Sequence, residues 1–131
     1  MTQEDKELLL QDLCARLPYG VKVQHQRQDY LDEIQTVEHI SRQYGEIETE
    51  SVLGFVDDFK PYLRPMSSMT EEEAMEYANC GNIIAISHQN DYLIPNPKSV
   101  NWLLEHHFDF RGLIEKGLAI EVTEENNPYK E

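Results

Sequence analysis

The sequence predicts a single α+β domain with an N-terminal helix, an antiparallel sheet of about five or six strands, and two further helices. Leucines recur at helical spacing near the start of the chain, as Leu9, Leu13 and Leu17 show. Short segments with alternating apolar and polar residues, separated by turn residues, follow over residues 21–55. Two later segments begin with residues typical of helix caps. We expect the sheet to form a curled meander or a small open barrel.

The first helix is predicted to begin after Thr2 and to end at Pro18. Thr2 can cap the helix, and Asp5 stands at the third helical position, as in a capping box. Charged residues such as Asp12 and Arg16 are assigned largely to the faces turned away from the sheet. The apolar side chains that recur at helical spacing are Leu9, Leu10, Leu13, Cys14 and Leu17.

Three strands are predicted next, joined by short turns. Residues 21–25 alternate cleanly, residues 26–32 read as a loop, and residues 34–40 alternate with one break that a β-bulge explains. Residues 46–51 then alternate with three glutamates on one face, which we expect to face water and not to bind calcium. The alternation predicts that Leu53 and Phe55 continue the inward-facing phase of this strand, and one helical turn at 57–60 follows.

Residues 60–70 are predicted to be a hinge-like connector between the two halves of the chain. Pro61 and Pro65 each lack a backbone N–H and restrict the residue before them, which excludes a helix here. Ser68 with Glu71, or Thr70 with Glu73, has the spacing of a capping box, and a helix is predicted over residues 70–79.

The second half is predicted to contain a hairpin, a helix and a final strand. The hairpin covers residues 82–94, Ser99 caps the next helix, and the strand covers residues 117–122. The domain therefore spans residues 1–122, and the polar residues 123–131 are expected to form a frayed tail.

The charge of the chain restricts its partners. Eleven basic and twenty-five acidic residues in a chain of 131 give a net charge of −14. A negative field repels phosphate backbones and anionic lipid, so nucleic acid and membranes are not expected as partners. A protein with a basic surface is a better match. The first residues have no signal-peptide pattern, and no stretch is apolar enough to span a membrane, which predicts a cytoplasmic protein.

One cluster has residue types that can carry chemistry. His106, His107 and Asp109 follow one another closely and could bind a metal or supply a general base. Adjacent helical residues point about 100° apart, however, so both imidazoles cannot face one ion within a regular helix. The alternative is that one histidine packs against Trp102 or Phe108 while the other is solvated. Asp109 and Arg111 are expected to pair and fix a loop.

No motif indicates a cofactor. The six glycines are dispersed, with no phosphate-binding loop and no nucleophile elbow among them. Two cysteines, Cys14 and Cys80, are too few for a zinc site or a disulfide scaffold.

Three blocks of sequence resemble a group of small uncharacterised proteins from gut bacteria and their phages or integrated elements. The blocks are residues 12–23 (DLCARLPYGVKV), 60–72 (KPYLRPMSSMTEE) and 107–120 (HFDFRGLIEKGLAI). The resemblance implies a bacterial cytoplasm and a mobile-element origin, and it carries no activity and no catalytic residue.

The sequence therefore favours a non-enzymatic, acidic, protein-binding module. Its predicted contact residues are Tyr62, Arg64, Trp102 and Phe108, because aromatic and arginine side chains dominate interface energetics. The alternative is a small metal-dependent hydrolase that uses His106, His107 and Asp109.

Overall fold

The computed structural model of the protein describes residues 1–26, 33–79 and 97–129. Within these residues the helices are α1 (Gln3–Arg16), α2 (Glu71–Asn79) and α3 (Pro97–Glu105). The strands are β1 (Lys22–His25), β2 (Ile34–Ser41), β3 (Glu46–Thr49), β4 (Leu53–Phe55), β5 (Phe59–Pro65), β6 (Phe108–Asp109) and β7 (Ile120–Glu121). The α+β class and the N-terminal helix are thus confirmed. Most of the predicted loop at 26–32, and the predicted hairpin at 82–94, lie outside the described residues.

The strands form one mixed sheet with the order β4-β3-β2-β1-β5-β6, and β7 also pairs with β5. The neighbours from β4 to β5 are antiparallel, as predicted, but β6 and β7 both run parallel to β5. The prediction of a wholly antiparallel sheet is therefore wrong at this end. Because α2 and α3 come between β5 and β6, the chain can cross over and return in the same direction. Over the described residues the sheet is open and does not close into a barrel.

The strand β2 contains the predicted bulge, and the register of the next hairpin corrects the prediction for β4. The β2–β3 register shifts between Val37 and His39. Leu53 and Phe55 were expected to face the core, yet their exposed fractions are 61% and 56%. Leu53 lies opposite Glu48 and Phe55 opposite Glu46, and directly paired residues share a face of the sheet. Both apolar side chains therefore stand on the outer face, beside the glutamates.

The predicted connector is β5, a strand inside the sheet. β5 is hydrogen-bonded to β1 on one side and to β6 and β7 on the other, so this part of the predicted hinge belongs to the sheet. Proline's fixed φ and its effect on the preceding residue exclude a helix but suit extended backbone, which is why Pro61 and Pro65 fit a strand. Of the two capping boxes that the spacing allowed, the one with Thr70 forms: the Thr70 N–H donates to Glu73 Oε1 at 3.0 Å, and the Glu73 N–H donates to Thr70 Oγ1 at 3.1 Å.

Two groups of buried side chains hold the layers together. In the first, α1 packs Leu9 and Leu13 against the inner face of the sheet. The second lies between α3 and β6, next to α2, and is built on Trp102, Leu103 and Phe108. The sheet and loop residues of the first group are Val21, Val23, Val37, Ile47, Val56, Phe59, Leu63, Leu113, Leu118 and Ala119.

The C-terminal segment is docked and not frayed over its described part. The Lys22 N–H donates to Tyr129 Oη at 2.9 Å, and that hydroxyl donates to the Tyr62 carbonyl at 2.8 Å. β1 and β5 are paired up to Val23 and Pro61, so Lys22 and Tyr62 stand at the next position of the ladder. The Tyr129 hydroxyl therefore bridges the two strands where their direct pairing stops.

Replacing Tyr129 with phenylalanine is expected to lower the free energy of unfolding by about 1–3 kcal/mol, because a partly buried N–H and C=O lose their partner. Urea denaturation followed by circular dichroism measures the change. The matched control is Tyr44→Phe, since the Tyr44 side chain is 65% exposed. We expect the control to stay within about 0.5 kcal/mol of the wild type. Equal stability of Tyr129→Phe and the wild type would mean that the bridge contributes nothing.

Candidate functional site

The four predicted contact residues do not form an exposed patch. Tyr62, Trp102 and Phe108 have exposed fractions of 5%, 8% and 0%, and they pack against the rest of the chain. The Arg64 guanidinium lies over the Phe108 ring, 4.2 Å from its centroid, and donates to both carboxylate oxygens of Glu73 at 2.6 and 2.7 Å. These aromatic and cationic side chains, which suggested an interface, make their contacts within the fold.

The Arg64–Glu73 pair joins β5 to the first turn of α2. Hydrogen bonding to Arg64 lowers the pKa of Glu73 to about 2, and the Thr70 N–H adds to the effect. The pair therefore stays ionised at neutral pH and braces the helix against the sheet.

The predicted histidine and aspartate cluster does not converge on a common point. His106 packs against Trp102 with 4.2 Å between ring centroids and the ring planes tilted by 33°, whereas His107 stacks on Tyr129 at 3.7 Å. Asp109 accepts the backbone N–H groups of Leu113 and Ile114, both at 2.9 Å. The expectation that one histidine packs against Trp102 is confirmed, but the other is buried and not solvated, with an exposed fraction of 8%.

Two further observations bear on a metal-dependent activity. Within the described residues, no group of three or more histidine, cysteine, aspartate or glutamate side chains could hold a metal ion. Arg111 pairs with Asp12 at 2.6 Å, and not with Asp109 as predicted, so Asp109 fixes its loop through the backbone instead. The geometry therefore gives no support to a hydrolase built on His106, His107 and Asp109.

A buried network of charges was missed by the sequence reasoning. Asp12 and Arg16 are both completely buried, and Arg16 Nε donates to Asp12 Oδ2 at 2.7 Å. Arg16 also donates to the Phe108 carbonyl at 2.6 Å, and Arg111 donates to Asp12 Oδ1 at 2.6 Å. The helical spacing did indicate that Arg16 faces the core, because Arg16 lies seven residues after the buried Leu9 and hence on the same face of α1. The network ties α1 to β6 and is structural in character.

His107 lies beside this network in an unusual backbone conformation. Its φ is 61°, in the left-handed region where residues other than glycine are uncommon. Burial first, and then the positive charges of Arg16, His106, Arg64 and Lys22, together lower the pKa of His107 to about 4. The imidazole is therefore neutral at neutral pH, and in this form it stacks on Tyr129.

An accessible site within the described residues is a groove between α1 and the end of β4. We call it the α1–β4 groove. It has a volume of about 960 Å³, and Leu8, Leu10, Tyr44, Phe55 and Val56 supply its apolar lining. Tyr44 and Phe55 have exposed fractions of 65% and 56%, so the groove presents two large aromatic side chains to solvent. Exposed apolar groups gathered on one rim are typical of surfaces that bind another molecule.

Acidic groups surround the aromatic rim of the groove. Glu4, Glu7 and Asp57 line it, together with two basic residues, Lys6 and Arg42. Glu46 is directly paired with Phe55, which adds one more carboxylate next to the aromatic rim. The rim therefore combines exposed apolar surface with an excess of negative charge.

The comparisons with known proteins give no independent guide to this site. The chain matched no protein family, no curated protein and no solved structure. Within the described residues, no helix is both long and apolar enough to cross a lipid bilayer.

Proposed function

We propose that this protein is a non-enzymatic binding module that holds a basic segment of another protein in the α1–β4 groove. The observation that carries the proposal is the pair of exposed aromatic side chains, Tyr44 and Phe55, on an acidic rim. Exposed tyrosine and phenylalanine supply the large contact areas that anchor protein interfaces.

The charge distribution supports a cationic partner. The chain carries a net charge of −14, and three carboxylates line the groove against two basic side chains, with a fourth carboxylate, Glu46, directly paired with Phe55. Complementary charge speeds encounter and rejects acidic partners, including nucleic acid. The partner is therefore a protein segment that combines lysine or arginine with apolar residues. A bacterial cytoplasm and a mobile-element origin, which the resemblance of three sequence blocks implies, belong to the same proposal.

Selection from a random 12-residue peptide library displayed on phage tests the proposal. Immobilised wild-type protein is expected to enrich peptides that place lysine or arginine next to apolar residues. Titration by fluorescence anisotropy then gives the dissociation constant of each enriched peptide.

Replacing both Tyr44 and Phe55 with serine is expected to weaken binding of these peptides by at least about tenfold, because the aromatic anchors are lost. The matched control is Met75→Ser, which removes another exposed apolar side chain, 67% exposed, on α2. It is expected to bind as the wild type does. Failure to enrich any peptide, or equal binding by the groove variant, would overturn the proposal.

A further inference from the structure

The α1–β4 groove contains an ion pair that joins its two walls. Lys6 Nζ on α1 lies 3.6 Å from Asp57 Oδ2, in the turn that follows β4. Both residues line the groove, and their side chains are 37% and 42% exposed. An ion pair this exposed contributes little to stability, so a competing cation can displace it at small cost.

The neighbouring carboxylate is held differently. Asp58 accepts the Phe55 backbone N–H at 3.0 Å, which fixes the end of β4. Asp57 contacts the end of a flexible lysine side chain and can exchange this ion pair for one with another cation. Of these two adjacent aspartates, Asp57 is therefore the one that can recognise a ligand.

We propose that Asp57 is the carboxylate that recognises a lysine or arginine of the partner, and that Lys6 is an internal competitor for it. This inference rests on the proposed function, since it needs a cationic segment in the α1–β4 groove. Binding exchanges one ion pair for another: the partner's cation replaces Lys6 at Asp57, and Lys6 turns into solvent. Lys6 thereby lowers the affinity for weakly basic segments and favours those whose cation is well placed beside Phe55.

The test measures how four variants bind the peptides that were enriched on the wild-type protein. Lys6→Met is expected to tighten binding by about two- to fivefold, and Asp57→Asn to weaken it by a similar factor. In the double variant, Lys6→Met should give no gain, because the site of competition is gone. This non-additivity separates a direct contact from a general effect of charge.

Lys116→Met is the matched control, because it removes one positive charge at an exposed position on a different turn. It is expected to change the affinity for a basic peptide by less than about twofold at 0.15 M salt, where exposed charges far apart are screened. Equal gains from Lys6→Met and Lys116→Met, or additive effects of Lys6→Met and Asp57→Asn, would overturn the inference and leave the proposed function standing. If the wild-type protein binds none of the peptides, both the inference and the proposed function are overturned.

Discussion

Replacing Asp12 with asparagine is expected to lower the free energy of unfolding by about 3–5 kcal/mol, the usual cost of leaving a buried charge without its partner. Asp12 is completely buried and accepts from Arg16 at 2.7 Å and from Arg111 at 2.6 Å. An asparagine of the same size keeps one acceptor oxygen but turns an amide N–H₂ towards guanidinium donors. Arg16, which is also completely buried, then has an uncompensated charge.

The change is measured by urea denaturation, with circular dichroism as the signal. Glu7→Gln is the control, because it makes the same carboxylate-to-amide change at an exposed position of α1. That variant is expected to remain within about 0.5 kcal/mol of the wild type. A loss of less than about 1 kcal/mol in Asp12→Asn would mean that water reaches Arg16 and that the network is not a closed one.

A second substitution separates the two arginines. Arg111 is less buried than Arg16, since its side chain is 18% exposed. Arg111→Ala leaves the Asp12–Arg16 pair intact, and we expect a smaller loss than in Asp12→Asn. If Arg111→Ala lowers the free energy of unfolding less than Asp12→Asn does, then Arg16 is the arginine that depends more on Asp12 for its charge balance.

Local signals in this sequence predicted local structure well. The Thr2 hydroxyl accepts the Asp5 N–H at 3.0 Å, as expected of an N-cap. The bulge in β2 was also predicted, and the Thr70–Glu73 capping box was one of the two that the spacing allowed, since each depends on residues within a few positions of one another. Such features can be predicted from the sequence because the residues that form them are close together in it.

The errors concern contacts between distant parts of the chain. Arg16 reaches the Phe108 carbonyl across 92 residues, and Tyr129 reaches Tyr62 across 67, so neither contact leaves a mark in the local pattern. The face on which Leu53 and Phe55 lie depends on how many residues the preceding turn uses, and one residue more or less exchanges the faces of a strand.

The candidate site was hidden for the same reason. Aromatic residues predicted for a contact surface, such as Trp102, fill the interior, while the exposed aromatic residues in the described part of the chain are Tyr44 in a turn and Phe55 on an edge strand. Composition identified the kind of side chain and the charge of the surface. Only the register of β4 shows which aromatic residues remain outside.

Acidification is expected to destabilise the protein through His107 by about 3 kcal/mol between pH 6.5 and pH 4. The pKa of His107 falls from 6.5, its ordinary value, to about 4 in the folded protein because the ring is buried among positive charges. The unfolded chain therefore binds a proton at a pH where the folded protein does not. Stability from the neutral ring is complete above pH 6.5 and is lost progressively as the pH falls to about 4.

Glu73 acts in a lower pH range. Its pKa is lowered from 4.5 to about 2, so the stability it contributes is present above pH 4.5 and is lost as the pH falls through 2. Between pH 6.5 and 4.5 the loss is therefore assigned to His107 and not to Glu73.

Comparison with His107→Asn isolates the contribution of the imidazole. Asparagine tolerates a positive φ and does not titrate, although the variant loses the stacking on Tyr129 and starts from a lower stability. The titration of the 25 acidic residues is common to both proteins, so the difference between their unfolding free energies cancels it. That difference should shrink by about 2.5 kcal/mol from pH 7 to pH 4.5. A constant difference for His107→Asn would mean that His107 titrates alike in the folded and unfolded chains.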